Sequence, residues 1–183
     1  MQSKLLKELK LQKKIPIIGK GSASEILSKF DRLIKDKFEI IEITLRTDEA
    51  LDLALKIKRQ NPKTIIGLGS IKSLNMLKEV SSLNFDFYIS PGINKDLLDF
   101  SNSKNLNFIP GVSTPSEIMM AIGCGNDILK FFHAERNGGL KSLKFLYDIF
   151  DDIKFIPTGG VNEENYNSYL DLPNVIAVGS TSF

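Results

Sequence analysis

Short apolar runs alternate with longer amphipathic segments along this chain. Eight runs are rich in the β-branched and aromatic residues typical of strands, and most end at Gly, Ser, Thr or Pro, as a strand-to-helix turn does. Between them, apolar residues recur at helical spacing. This alternation predicts a parallel sheet with helices outside it. The predicted strands are Ile15–Lys20, Glu39–Leu45, Thr64–Ser70, Phe85–Gly92, Asn107–Val112, Ile128–Ala134, Ile153–Gly160 and Asn174–Ser180.

Two of the intervening segments begin with a capping box, in which a side chain at the start and a Glu three residues later satisfy each other's backbone amides. Ser22 and Glu25 have this spacing, and so do Thr114 and Glu117. Pro115 strengthens the second signal, because proline suits the first helical position. Both segments are therefore predicted to be helices.

Eight strand–helix units predict a closed (β/α)8 TIM barrel, with an open doubly wound sheet as the alternative. The 183 residues predict one domain that spans 1–183. A helix is predicted at about Ser3–Lys14, before the first strand, and Asn162 is predicted to cap the helix after the seventh. The chain ends three residues after the eighth run, so the final helix is apparently missing. We expect the N-terminal segment or a neighbouring subunit to cover the apolar surface that this leaves.

Charge and composition narrow the classes of partner. Lys and Arg total 24 against 22 Asp and Glu, a net charge of +2. This balance gives no basic field for nucleic acid or for an anionic membrane. No apolar run approaches the roughly 20 residues that span a bilayer, and the start of the chain lacks an apolar signal core, so we expect a cytoplasmic protein. The single cysteine, Cys124, excludes an intrachain disulfide and a multi-cysteine metal site.

Several charged side chains are predicted to point into the barrel. Strand side chains alternate between faces, so the second run places Glu42, Thr44 and Arg46 opposite its apolar residues. The same alternation in the sixth run turns Lys130 inward. Unpaired buried charges cost several kcal/mol each. These residues therefore indicate either a structural ion pair or a reactive site.

The reactive alternative has a definite chemistry. The pKa of a lysine falls when the ammonium is desolvated near a second cation, and the neutral amine can then attack a ketone to form a Schiff base. The iminium withdraws electrons, so a neighbouring C–C bond can break or form. Glu42 could move the protons, directly or through water, and Arg46 could hold a substrate carboxylate with paired hydrogen bonds.

Glycine-rich turns follow the seventh and eighth runs. The first contains Gly159 and Gly160, and the second runs from Gly179 to Thr181. Glycines let backbone amides approach an anion closely. In (β/α)8 barrels, the loops after these two strands often bind phosphate. Together they predict a site for phosphate or another anion.

Seven short motifs give the chain a family resemblance. They are Glu42-Ile-Thr-Leu-Arg46-Thr47, Gly67-Leu-Gly-Ser70, Ile89-Ser-Pro91-Gly92, Pro110-Gly-Val-Ser-Thr-Pro-Ser-Glu117, Leu129-Lys130-Phe-Phe132, Ala134-Glu135 and Pro157-Thr-Gly-Gly-Val161. In order and spacing they resemble the class I 2-keto-3-deoxy-6-phosphogluconate (KDPG) / 4-hydroxy-2-oxoglutarate (KHG) aldolases. The match covers nearly the whole chain, and the motifs together are far more specific than any one of them.

The resemblance implies a (β/α)8 barrel, usually a homotrimer, that needs no metal and no cofactor. It implies that Lys130 is the Schiff-base lysine and Glu42 the acid/base. The remaining implied roles concern substrate binding: the pyruvate carboxylate at Arg46 with Ser70, the pyruvyl group at Pro91 and Phe132, the cavity wall at Thr158, and the phosphate at Gly159, Gly160 and Thr181.

The implied reaction is reversible cleavage of KDPG into pyruvate and glyceraldehyde 3-phosphate, and possible substrates include KHG, which gives pyruvate and glyoxylate. Its partners would thus be small keto acids and aldehyde phosphates. Three alternatives stay open. They are an aldolase for the galactonate-derived epimer, a barrel isomerase or epimerase that uses carboxylate pairs without an imine, and a phosphate-metabolite-binding barrel without catalysis.

The chain departs from the family pattern at two positions near the predicted anion site. His133 stands where the family typically has proline, so we expect the loop after the sixth strand to be looser or differently shaped. The turn Gly179-Ser180-Thr181 stands where Gly-Gly-Ser is common, and the side chain of Ser180 is expected to crowd the phosphate.

Overall fold

The strands form one continuous parallel sheet. The structure is a computed structural model and describes residues 3–183. In sheet order the strands run β5-β4-β3-β2-β1-β9-β8-β7-β6. Their bounds are β1 Lys14–Ile18, β2 Ile40–Thr44, β3 Ile65–Gly69, β4 Phe87–Ile89, β5 Phe108–Ile109, β6 Gly111–Val112, β7 Ile128–Phe132, β8 Lys154–Thr158 and β9 Val178–Ser180.

Pro110 explains why nine strands occupy eight positions. It separates β5 from β6, because proline has no N–H to donate to a sheet ladder. β5 pairs with β4 and β6 pairs with β7, so these two halves of one strand join both ends of the sheet order. The carbonyl of Pro110 still accepts a hydrogen bond from the amide of Lys130 at 2.9 Å. The sheet closes as a (β/α)8 barrel, which confirms the predicted fold and excludes the open sheet.

Helices connect successive strands on the outside of the barrel, with one more before β1. Their bounds are α1 Ser3–Gln12, α2 Ala23–Lys35, α3 Ala50–Gln60, α4 Leu74–Ser81, α5 Lys95–Ser103, α6 Pro115–Gly123, α7 Gly139–Ile149 and α8 Tyr166–Leu170, and a 3₁₀ turn spans Glu135–Asn137. Within residues 3–183, none of the helices combines the length and the apolar character that a membrane crossing requires.

Of the three predicted helix-capping residues, two cap helices in the structure. The capping boxes at Ser22 and Thr114 are both present. Asn162 does not cap a helix, and that prediction is wrong. Its side chain accepts hydrogen bonds from the amides of Glu164 and Asn165 in a turn, and α8 begins only at Tyr166.

The N-terminal helix closes one end of the barrel. Leu5 and Leu9 of α1 are buried in a cluster with inward-facing residues of the strands. The Gln12 side chain fixes the end of α1 to β2, donating to the Ile40 carbonyl at 2.9 Å and accepting from the Ile40 amide at 3.0 Å. This apolar floor leaves the interior available for polar groups only at the carboxyl ends of the strands.

The outer face of β9 is covered by a different part of the chain from the one expected. No helix follows β9 within the described residues. Phe183 is buried in the same apolar cluster as Val178 of β9, and its ring packs edge-to-face on Tyr166 with centroids 5.8 Å apart. Because α1 lies under the barrel, the prediction that it covers this face is wrong. Cover by a neighbouring subunit stays a prediction.

The capping carboxylate of α6 gives a pH-dependent prediction. One oxygen of Glu117 accepts from the amides of Ser113 and Thr114, each at 2.8 Å, and from both hydroxyls. Burial would raise the pKa of this carboxyl, but those hydrogen bonds hold it below its usual range. A lowered folded-state pKa means that the stabilisation is present above the unfolded-state pKa and is lost as pH falls through the folded-state value.

Glu117→Gln is therefore expected to lower the free energy of unfolding by about 1 kcal/mol at neutral pH, and by less as the solution is acidified. Urea unfolding followed by circular dichroism over a pH series measures both quantities. An unfolding free-energy difference that stays constant down to acidic pH would contradict this assignment.

Candidate active site

A cavity of about 230 Å³ opens at the carboxyl ends of the strands. It is bounded mainly by β2, β7, β8 and β9 and the turns that follow them. The lining residues are Ile17, Glu42, Thr44, Arg46, Lys130, Phe132, His133, Thr158, Gly159, Gly160, Val161, Gly179, Ser180 and Thr181. Eight of the ten residues predicted for the site therefore lie around one cavity, and Ser70 and Pro91 lie outside its lining.

Lys130 and Glu42 meet at the base of this cavity. Lys130 lies on β7 between outward-facing Leu129 and Phe131, which pack beneath the helices. Its Nζ is 3.8 Å from Oε1 of Glu42, and the two side chains are 7% and 2% exposed. The separation is too long for a hydrogen bond. Oε1 of Glu42 accepts no hydrogen bond from any described residue, although it is buried. The pair thus leaves a lone pair available to a bound molecule.

Gly69 on β3 makes room for that carboxylate. A Cβ at this position would lie 1.8 Å from Oε1 of Glu42, so any larger residue would displace the carboxyl group. β3 pairs with β2 in register, Gly69 opposite Thr44. Thr44 adds a polar wall and donates its hydroxyl hydrogen to the Ile18 carbonyl at 3.1 Å.

The guanidinium of Arg46 stands at the mouth of the cavity. Its Nε donates to the hydroxyl of Ser70 at 3.0 Å, so Ser70 reaches the site through Arg46. The remaining guanidinium donors form a fork whose geometry can match a carboxylate. Pro91 does not enter the cavity. It is exposed, and its backbone packs closely on Gly111.

Phe132, the last residue of β7, and His133, the residue after it, place two rings in the wall of the cavity that holds Lys130. The Phe132 ring centroid lies 5.0 Å from the Lys130 ammonium, and the His133 ring lies 5.4 Å beyond it. The imidazole rests on Gly159, where a Cβ would come within 2.6 Å of the ring. The loop is anchored by the amide of Ala134, which donates to the Thr158 carbonyl at 2.8 Å. That hydrogen bond joins the loop to β8, and the expectation that His133 makes the loop looser or differently shaped than in the family stays a prediction.

The glycine turn after β8 has the backbone shape that was expected of an anion site. Gly159 and Gly160 have φ of +96° and +80°, a region that favours glycine. Glu135 packs where a Cβ on Gly160 would lie. Its carboxylate also accepts a hydrogen bond from Tyr169. Burial, with a further contribution from this hydrogen bond, raises the pKa of that phenol. These contacts fix the turn from its outer side.

The end of β9 and the residue after it line the same cavity as the glycine turn. Ser180 donates its hydroxyl hydrogen to the Val161 carbonyl and accepts from the amide of Ser182 at 3.0 Å. Ser180 thus ties the two anion-site segments together. Thr181 follows at the rim and is exposed.

Cavity volume alone would favour a different surface as the active site. A groove of about 600 Å³ lies at the opposite end of the barrel, between α1 and the starts of β7 and β8. Its charged side chains include Lys10, Asp127 and Asp152, all of which are exposed. The buried amine and carboxylate lie in the smaller cavity, so chemistry favours that one. Across residues 3–183, no group of three His, Cys, Asp or Glu side chains is placed to hold a metal ion.

Sequence reasoning missed three contributions to the site. His133 was interpreted as a loop residue, yet its ring lines the cavity. Ser180 was expected only to crowd the phosphate, whereas its hydroxyl holds the neighbouring loop. Gly69 had no assigned role. The missing signal for Gly69 was steric: small residues on a strand mark a close approach of another group.

The fold and the cavity define a (β/α)8 barrel enzyme with a buried amine. Comparison with known proteins leads to the same class. The family model for KDPG and KHG aldolase matches residues 5–183. A 2-dehydro-3-deoxy-phosphogluconate aldolase of Pseudoalteromonas atlantica is 43% identical over 81% of this chain and 69% of its own length. A KHG/KDPG aldolase of Escherichia coli is 34% identical over 91% of this chain and 78% of its own length.

Solved structures show the same likeness. The KDPG aldolase of Legionella pneumophila, in which pyruvate was captured as a covalent carbinolamine intermediate, superposes with a TM-score of 0.92 at 33% identity, covering 97% of this chain and 86% of that one. The enzyme of Zymomonas mobilis with 3-phosphoglycerate gives 0.90 at 28% identity, covering 96% and 83%. This chain belongs to the KDPG and KHG aldolase family, and its close homologues are lyases.

The space beside Glu42 provides a stability test. Gly69→Ala is expected to lower the free energy of unfolding by about 1–3 kcal/mol, because the methyl group overlaps the buried carboxylate. Gly123→Ala in α6 is the matched control. A Cβ there meets nothing within 4 Å, so alanine is expected to be neutral or stabilising by about 0.5–1 kcal/mol. Urea unfolding of both variants decides the matter, and equal unfolding free energies for the two would refute the steric role of Gly69.

Proposed function

We propose that this chain is a class I aldolase that cleaves KDPG through a Schiff base on Lys130. This proposal depends mainly on the buried pair at the base of the cavity. Nζ of Lys130 lies 3.8 Å from Oε1 of Glu42, and that oxygen has no hydrogen-bond partner among the described residues. An ion pair retained only for stability would close to hydrogen-bonding distance and satisfy both groups. The gap supports the reactive alternative.

The bond changes follow from the positions of the two groups. The neutral amine of Lys130 adds to the C2 carbonyl of the substrate, and loss of water gives the iminium. Glu42 removes the proton of the C4 hydroxyl, directly or through a water. The C3–C4 bond breaks, its electron pair moves toward the iminium to form an enamine, and glyceraldehyde 3-phosphate leaves. A proton returned to C3 and water added to C2 release pyruvate and restore the amine.

The rest of the cavity supports this orientation of the substrate. Arg46, held by Ser70, would bind the carboxylate, and Phe132 offers an apolar surface to the pyruvyl carbon chain. At the other side, the turn of Gly159 and Gly160 faces Thr181 and would receive the phosphate. Thr158 forms the wall between the two ends. Pro91 would contribute only if its exposed ring moved toward the cavity.

Cleavage of KHG is a second activity of the same site. The Escherichia coli relative is named for both substrates, and KHG presents the same 2-oxo acid to Lys130 and Arg46. The galactonate-derived epimer of KDPG is the alternative sugar acid, and the ratio of kcat/KM values distinguishes the two. The proposal includes a cytoplasmic location, because phosphorylated metabolites are charged and do not cross membranes freely.

Trapping with borohydride tests the Schiff base. Incubation with pyruvate and borohydride is expected to add one reduced pyruvyl group at Lys130, found by peptide mass spectrometry. Lys154 on the neighbouring strand should stay unmodified, since its ammonium lies outside the cavity and donates to the Pro173 carbonyl. Lys130→Met should abolish both adduct and cleavage, with folding checked by circular dichroism.

Glu42→Gln separates imine formation from proton transfer. It is expected to retain the adduct while KDPG cleavage falls at least about 100-fold, the usual contribution of a general acid or base. A parent protein without an adduct would favour the isomerase or non-catalytic binding alternatives. Full activity in Lys130→Met would overturn the mechanism.

We further propose that the chain assembles as a homotrimer. Large apolar side chains are exposed on two consecutive outer helices, among them Met119 of α6 at 63% and Phe145 and Ile149 of α7 at 59% and 51%. Phe145 and Ile149 are four residues apart and share one helix face. Exposed apolar surface of this kind marks an interface.

Light scattering coupled to size exclusion measures the assembly. The expected mass is three times the chain mass of 20.5 kDa. Phe145→Glu is expected to shift the protein to the monomer mass, whereas Lys144→Glu on the same helix should not. A monomeric parent refutes the trimer, and an intact trimer in Phe145→Glu refutes this surface as its interface.

A further inference from the structure

The junction between the first and last strands of the barrel is held by a side chain from α2. β1 and β9 pair only as far as Pro16 opposite Ser180. Just beyond that point, the ammonium of Lys29 donates to the Ile17 carbonyl at 3.1 Å and to the Thr181 carbonyl at 2.5 Å. Lys29 therefore continues the connection between the two strands where their own ladder stops.

This contact restrains Thr181 from a distant part of the chain. Among the described residues, Lys29 is the only side chain that hydrogen-bonds to Thr181. The neighbouring Ser180 and Ser182 are held by the hydroxyl of Ser180, but that contact leaves the Thr181 carbonyl unbound. The position of Thr181 at the rim of the cavity thus depends on an ammonium that comes from a different part of the chain.

The ammonium also places positive charge behind the anion end of the cavity. Lys29 is half-buried, and its desolvation, with a smaller contribution from Arg32, lowers its pKa. Two carbonyl oxygens offset that desolvation. A second cavity, lined by Lys29 and Lys20, adjoins the catalytic one through Arg46 and Thr181, so Lys29 stands beside the reaction cavity without lining it.

We propose that Lys29 is a positioning residue for the substrate phosphate: it fixes the Thr181 segment that faces Gly159 and Gly160 and adds a positive charge behind that segment. The inference rests on the proposed function, because it assigns the phosphate of KDPG to this end of the cavity. It assigns Lys29 no part in bond breaking. Loss of Lys29 is therefore expected to weaken binding of the phosphorylated substrate and to spare KHG, which has no phosphate.

The test compares two substrates across three variants. Lys29→Met keeps the aliphatic stem but removes the charge and both hydrogen bonds. Its KM for KDPG is expected to rise about tenfold, the effect of losing a charge-assisted hydrogen bond, while kcat changes little. Its KM for KHG is expected to stay within about twofold of the parent. Lys29→Arg should restore most of the affinity, since it keeps charge and donors.

Lys35→Met is the matched control, because Lys35 lies exposed in the last turn of the same helix. It is expected to leave KM unchanged for both substrates. Equal KM increases for KDPG and KHG in Lys29→Met would indicate a general structural role and overturn the proposal. An unchanged KM for KDPG would overturn it as well. Thermal melting of each variant identifies any loss of folding.

Calorimetry with glycerol 3-phosphate separates failure of this inference from failure of the proposed function. If the parent cleaves neither substrate but binds glycerol 3-phosphate about tenfold more tightly than Lys29→Met, the proposed function fails and the role of Lys29 stands. If the parent cleaves KDPG and Lys29→Met binds the phosphate ester equally well, only the role of Lys29 fails. Absence of both cleavage and binding in the parent overturns both.

Discussion

The burial of an amine beside a carboxylate is the constraint on which the rest of this structure depends. Lys130 and Glu42 are almost fully enclosed, and isolated charges in such a place are costly. The opposite charges lower the cost of burying each group, and the gap between them leaves room for a group of a bound molecule. Position 69 requires glycine because the Glu42 carboxylate occupies the space that a Cβ atom would need.

Closure of the barrel is what brings the pair together. Glu42 lies on β2 and Lys130 on β7, and β1, β9 and β8 separate these strands in the sheet. In an open sheet with that order, the two side chains would lie several strands apart, since neighbouring strands are about 4.8 Å apart. Only across the interior of a closed barrel can they meet. The apolar floor formed by α1 then confines the polar groups to the opposite end.

Patterns among residues close together in the sequence predicted much of the architecture. Period-two alternation was enough to turn Glu42 and Lys130 inward, because strand side chains must point to one face or the other. The capping boxes at Ser22 and Thr114 were readable because their partners are three residues away. The prediction that Asn162 caps a helix failed because it too depended on nearby residues. The Asn162 side chain accepts hydrogen bonds from nearby amides in a turn, and a helix cap uses the same kind of contact.

By itself, the sequence determined the alternation of strands and helices, the inward faces and the residue types of a Schiff-base site, since each depends on neighbours along the chain. Tertiary structure decided the rest. The seating of α1 beneath the barrel, the contact of the His133 ring with Gly159 and the hydrogen bond from Lys29 to Thr181 join segments that are distant in sequence. Such contacts depend on how the closed barrel places strand ends in space, and local spacing contains no record of that placement.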